Sequence, residues 1–72
     1  MHNVENIESI GPTVRRLRIE RGMNQLQLAA RSGTSIGTVS KIENNQRGAS
    51  VRSLAAIADA LEVEIADLFE ES

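Results

Sequence analysis

The stretch RSGTSIGTVSKIENNQRG, Arg31 to Gly48, gathers most of the chemistry this sequence has to offer. Ser32, Thr34, Ser35, Thr38 and Ser40 bring hydroxyls, Asn44, Asn45 and Gln46 bring amides, and Arg31, Lys41 and Arg47 bring positive charge. Such groups hold anions and present hydrogen bonds. They are poorly suited to catalysis. The 72 residues include no Cys, Tyr or Trp, a single histidine, His2, beside the initiator methionine, and no glycine signature of the kind that cradles phosphate. Glu20 and Glu43 pair as catalytic carboxylates only if the arginines around them are ignored. No enzyme activity, metal or cofactor is expected.

The charge is segregated. All eight basic residues, Arg15, Arg16, Arg18, Arg21, Arg31, Lys41, Arg47 and Arg52, fall in one span whose only acids are Glu20 and Glu43; Glu5 and Glu8 precede it and six acids follow it. The formal net charge of −2 conceals this arrangement. A basic middle between acidic ends describes a molecule with one side turned toward a polyanion.

The elements that position these groups read as helices. Residues 1–9 lack sustained periodicity and are expected to form an N-terminal arm; residues 10–72 form the domain. Pro12 suits a first helical turn, Val14 and Leu17 share a face with Ile10, and Gly22 closes the run, so the first helix spans about Pro12 to Arg21. Asn24 is placed as an N-cap with Gln27 three residues on for a capping box, and Gly33 sits where a left-handed C-cap belongs. Ser35 caps a third helix with Val39 and Ile42 as its apolar face, ending near Asn44 or Asn45. Ser50 caps a fourth carrying Val51, Leu54, Ile57, Ala58 and Leu61. A short fifth carries Ile65, Leu68 and Phe69. No strand pattern interrupts them, so the fold class is all-α, a compact five-helix domain.

A chain this short buries only roughly 60% of its unfolded surface, and dimerisation would help it. No apolar run approaches the roughly 20 residues that cross a bilayer, and MHNVENIESIG lacks the regions of a secretory signal. The expectation is a cytoplasmic protein without a membrane partner.

Leu28, Ala29, Gly33, Val39 and Ile42 make the skeleton of a helix-turn-helix. Ala29 lets two helices cross closely, Gly33 permits a positive φ in the turn, and Val39 and Ile42 anchor the second helix while its opposite face stays free. Together with IGPTVRRLRIERGMNQLQLA, TVSKIE and LAAIADALEVEIADLF, this skeleton resembles the Cro/C1-type (XRE-like) helix-turn-helix family of phage repressors and bacterial regulators. The resemblance runs from about Ile10 to Phe69 and implies a lambda-repressor-like fold that binds double-stranded DNA.

Carried onto this sequence, the resemblance puts Asn24 and Gln25 at the start of the second helix against a DNA phosphate, where free N–H groups and the positive helix end favour an anion; Asn24 can cap the helix as well. Ser35, Ile36, Gly37, Thr38, Ser40 and Lys41 fall where the family reads base edges in the major groove. Lys41 can donate to guanine O6/N7 or neutralise a phosphate, and Ile36 can meet a thymine methyl. Arg18 and Glu43 match positions that pair across the first and third helices, with Arg18 both brace and possible phosphate ligand. Asn44, Gln46 and Arg47 match a loop that follows the sugar-phosphate backbone.

Ile65, Leu68 and Phe69 are expected to leave part of an apolar stripe for a twin subunit. The resulting homodimer would recognise a partly palindromic operator, as a repressor or autoregulatory switch such as a phage-type repressor or a restriction-modification controller. An antitoxin or other protein-interaction module is the alternative, which a partner-binding extension would favour.

The sequence departs from the family pattern in three places. Ser32 and Thr34 flank the turn where apolar residues are commoner, which is expected to weaken it. Ala49 stands where proline often precedes the fourth helix. Gly37, inside the proposed recognition helix, costs roughly 1 kcal/mol relative to alanine.

Overall fold

The computed structural model describes residues 10–46 and 49–69. The expected arm at residues 1–9 and the loop residue Arg47 lie outside the described residues. Among the described residues, four α-helices and one 3-10 helix follow in order: α1 (Ile10–Glu20), α2 (Gln25–Ser32), α3 (Ile36–Glu43), α4 (Val51–Ala60) and the 3-10 helix Ile65–Phe69. Among the described residues there is no strand, and no helix is long and apolar enough to cross a membrane.

Local chemistry sets the helix boundaries. Helix α2 opens on a reciprocal capping box: the Gln27 N–H donates to Asn24 Oδ1 (2.7 Å) and the Asn24 N–H to Gln27 Oε1 (2.8 Å). Gly33, at φ 72°, turns the chain out of α2 in the left-handed conformation the sequence calls for. Ser35 Oγ then accepts from the Thr38 N–H (3.1 Å), and Ser50 Oγ from the Ser53 N–H (3.1 Å), starting α3 and α4. Asn44 caps α3, and Asn45 takes the positive φ, 57°. Helix α1 begins two residues before the expected Pro12, which still lies in the first turn, where no N–H is needed.

The turn expected to be weakened by Ser32 and Thr34 carries hydrogen bonds from both. Ser32 Oγ donates to Ala29 O (3.2 Å) and lies 2.8 Å from Thr34 Oγ1, while the Thr34 N–H reaches Ala29 O (3.0 Å). Hydroxyls hold this turn where apolar side chains were the expectation.

The core is built from Val14, Leu17, Met23, Leu28, Ala29, Val39, Ile42, Ile57, Ala58, Ala60, Leu61 and Leu68, with Ile10, Ala49, Leu54, Val63 and Ile65 packed against it. Three expectations need correction. The fifth helix is a single five-residue 3-10 segment. Val51 has helical spacing but is the first residue of α4 and stays exposed, so the apolar face of that helix begins at Leu54. Leu68, assigned to a subunit interface, is fully buried in the core of its own chain.

The five elements pack in a closed circuit: α1 on α3, α3 on α2, α2 on α4, α4 on the 3-10 helix, and the 3-10 helix back on α1. The tightest approach lies where the start of α1 meets the end of α3. The Gly11 N–H donates to Asn45 Oδ1 (2.9 Å), so Asn45 ends one helix and satisfies a free amide at the start of another. A Cβ at Gly11 would lie 2.5 Å from both Glu43 O and Asn45 Oδ1 and 2.7 Å from Ile42 O. Two of these are backbone carbonyls that cannot swing away. Gly11→Ala is therefore expected to destabilise the domain by about 1–3 kcal/mol through overpacking, read as a lower urea midpoint with an unchanged m-value.

Candidate nucleic-acid interface

Arg18 and Glu43 come together as expected, in a tighter arrangement than a surface pair. Arg18 Nε donates to Glu43 Oε2 (2.6 Å) and Nη2 to Oε1 (3.0 Å), a two-pronged match of guanidinium to carboxylate. The side chains are 11% and 4% exposed. Arg18 Nη1 also donates to Met23 O (2.9 Å), and Gln25 Nε2 donates to Glu43 Oε1 (3.1 Å). One carboxylate thus joins α1, the turn after it, the start of α2 and the end of α3. The hydrogen bond from Glu43 raises the Arg18 pKa above its ordinary value, outweighing the lowering by burial, and the charge attraction adds to it. The guanidinium stays charged at every accessible pH.

This network bears on two phosphate assignments. Arg18 is turned inward as a brace, with three of its five N–H groups on Glu43 and Met23 and only 11% of its side chain exposed. Gln25 sits at the expected helix start, with one of its two side-chain N–H groups donated to Glu43. Further donors for an anion are backbone groups: the first helical bond of α2 is Leu28 N–H to Asn24 O, and the capping box engages Gln27, so the Gln25 and Leu26 amides point out of the helix end. Asn24 is exposed and acts as cap.

Helix α3 turns Val39 and Ile42 into the core and leaves Ser35, Ile36, Gly37 and Lys41 in solvent, with Thr38 and Ser40 half-buried at its flanks. Ile36 is 49% exposed at the open end of this short helix. Lys41 belongs to none of the ion pairs among the described residues, which are Arg18–Glu43, Arg16–Glu20 and Arg21–Glu20. Gly37 is helical and unconstrained; a Cβ there would meet only Ser35 Oγ, at 3.7 Å. Asn44 and Gln46 are exposed just beyond α3, with Asn44 Nδ2 donating to Ser40 Oγ (3.4 Å). Arg15, Arg16, Arg21, Arg31 and Arg52 are all exposed.

The sequence reading missed Gly11 with Asn45, the bond from Gln25 to Glu43, and Met23 in the core. A glycine in the first turn of a helix was a usable signal for the first, because its conformational cost needs a packing reason. The other two depend on how loops fold back, for which no spacing rule exists.

A family model described as helix-turn-helix matches residues 14–68. The chain is 40% identical over 58 residues to the HTH-type transcriptional repressor RghR of Bacillus subtilis (strain 168), a match covering 79% of this chain and 43% of that protein's length. Among solved structures, the restriction-modification controller protein C.AhdI from Aeromonas hydrophila superposes with a TM-score of 0.81 at 31% identity, over 89% of this chain and 97% of the controller. The clp gene regulator ClgR from Corynebacterium glutamicum superposes at 0.77 and 30% identity, over 88% of this chain and 67% of that one.

The brace supports a sharp energetic expectation. Glu43→Ala or Arg18→Ala strands a buried charge and should cost about 3–5 kcal/mol, whereas the double replacement Arg18→Met with Glu43→Leu should cost less than either. Chemical denaturation of the three variants checks the order.

Proposed function

The chain belongs to the helix-turn-helix family, and from that premise we propose that it is a sequence-specific transcriptional regulator that binds double-stranded DNA through α3. The observation that carries this reading is the contrast between the two faces of α3. Its inner face is locked by Val39, Ile42 and the Glu43 network, while its outer face keeps Ser35, Ile36, Gly37 and Lys41 in water within the basic span of the chain. A rigid, solvated helix with cations around it is what reading a major groove requires.

In this reading Asn24, Gln25 and Leu26 offer the start of α2 to one phosphate, chiefly through backbone amides. Asn44, Gln46 and Arg47 follow the sugar-phosphate backbone beyond α3. The scattered arginines supply field more than contacts, so affinity falls steeply as salt rises. Ser35 to Lys41 form the base-reading surface. The regulator is cytoplasmic and acts as a homodimeric repressor or switch on a partly palindromic operator. Phe69, 41% exposed, and half-buried Ile65 are the apolar residues of the C-terminal segment left for a twin subunit.

Selection from random duplexes should return paired half-sites about 34 Å apart, one helical turn; enrichment of no sequence would overturn the proposal. Gly37→Ala should raise stability by about 1 kcal/mol, since the helix gains propensity and the added methyl meets open space, yet weaken operator binding by crowding the backbone's approach to DNA. Equal affinity in the stabilised variant would remove that role for the glycine. Sedimentation at tens of micromolar, roughly the range of weak dimers, should find dimer in the parent and a shift toward monomer in Phe69→Ala.

A further inference from the structure

The side chains of α3 differ in how much of their chemistry is already used. Ser35 Oγ caps the helix by accepting from the Thr38 N–H and lies 3.1 Å from Thr38 Oγ1. Ser40 Oγ accepts from Asn44 Nδ2, and Thr38 and Ser40 are half-buried besides. The hydroxyls are thus turned toward the helix itself. Helix α3 carries no Asn, Gln or Arg, the side chains that grip adenine or guanine with two hydrogen bonds, and its one carboxylate is buried against Arg18. What remains pointed at solvent is one aliphatic group, Ile36, and one ammonium, Lys41. Gly37, with no side chain, leaves the flank of Ile36 open.

We infer that α3 reads its operator through a methyl contact, Ile36 packing on the 5-methyl group of a thymine while Lys41 donates to O6/N7 of a guanine. This deepens the proposal that α3 is the base-reading element and rests on it. An isoleucine half in water gains nothing from a phosphate or a base amine. In the major groove, the thymine methyl is the apolar feature that distinguishes a base pair, and covering it removes both surfaces from water. The ammonium reads acceptors only, and guanine presents two adjacent ones. Five residues place Lys41 about 7.5 Å along the helix axis from Ile36 and about 140° around it, so the two readers flank the exposed face and meet different base pairs. The half-site is accordingly specified at a thymine and a guanine, without direct reading of adenine.

The test uses the full chain and the operator it selects from random duplexes. Each thymine in a half-site is replaced in turn by deoxyuridine, which deletes only the methyl group, and affinity is titrated by fluorescence anisotropy. One position per half-site should lose about fourfold, the worth of one buried methyl-sized group, while the others stay unchanged. Ile36→Ala should bind the thymine and uracil forms equally, and Lys41→Ala should relax selection at a separate G·C pair of the half-site. An operator that is selected but indifferent to every thymine methyl overturns the inference, as does an Ile36→Ala variant that keeps the parent's methyl dependence. Failure to enrich any sequence overturns the base-reading role of α3 itself, and the methyl contact with it.

Discussion

The guanidinium of Arg18 is where separately started pieces of this chain become one body. Helices α1, α2 and α3 each begin on local signals, a proline in the first turn and Asn or Ser caps, but such signals are worth about 1 kcal/mol apiece and do not orient one helix against another. The carboxylate of Glu43 does. It takes two prongs from Arg18 and a third bond from Gln25, and Arg18 turns its remaining nitrogen to Met23 O. Burial makes the arrangement exacting, because a charge that loses its partner there cannot retreat into water. No buried side-chain nitrogen or oxygen is left without a hydrogen bond among the described residues.

That constraint explains how so weak a helix can carry the candidate interface. Four of the eight residues of α3 are β-branched, and Gly37 and Ser40 add to its low intrinsic preference. The helix is held from outside: Val39 and Ile42 grip the core, Glu43 fixes its last turn, and the Gly11–Asn45 contact seats its end on α1. Because stability comes from the inner face and the two ends, the outer face can be chosen for what it meets in solution. An exposed isoleucine beside a glycine makes poor sense as helix design and good sense as a surface.

Much of this was legible in the residues alone, wherever a local rule was at work. Asn24, Gln27, Gly33, Ser35 and Ser50 take the capping and turn roles their types and spacing announce. Leu28, Ala29, Val39 and Ile42 fall in the core because helical periodicity leaves them no other side. The site was harder to read where one side chain had to choose between partners. Gln25 chose Glu43 over solvent, and Arg18 was drawn into its brace, because a buried carboxylate competes for donors more strongly than anything outside the fold. Leu68 has the spacing of a free stripe, yet the short 3-10 segment turns it inward to complete the core. Gly11 could be noticed but not explained until α3 was seen ending against it. In each case the deciding partner lies far away along the chain.

The closed circuit of packing has a bearing on how such a molecule is removed. Every element rests on two others, so the loss of any one strips packing from two neighbours. Cleavage by a protease that needs an extended segment then tracks the small equilibrium fraction of wholly unfolded chains. Loss of 1–2 kcal/mol of stability would raise that fraction about 5–30-fold and can change the abundance of the protein several-fold. The tight seat of Gly11 on the end of α3 is thereby one of the positions that set how much of the molecule is present to act.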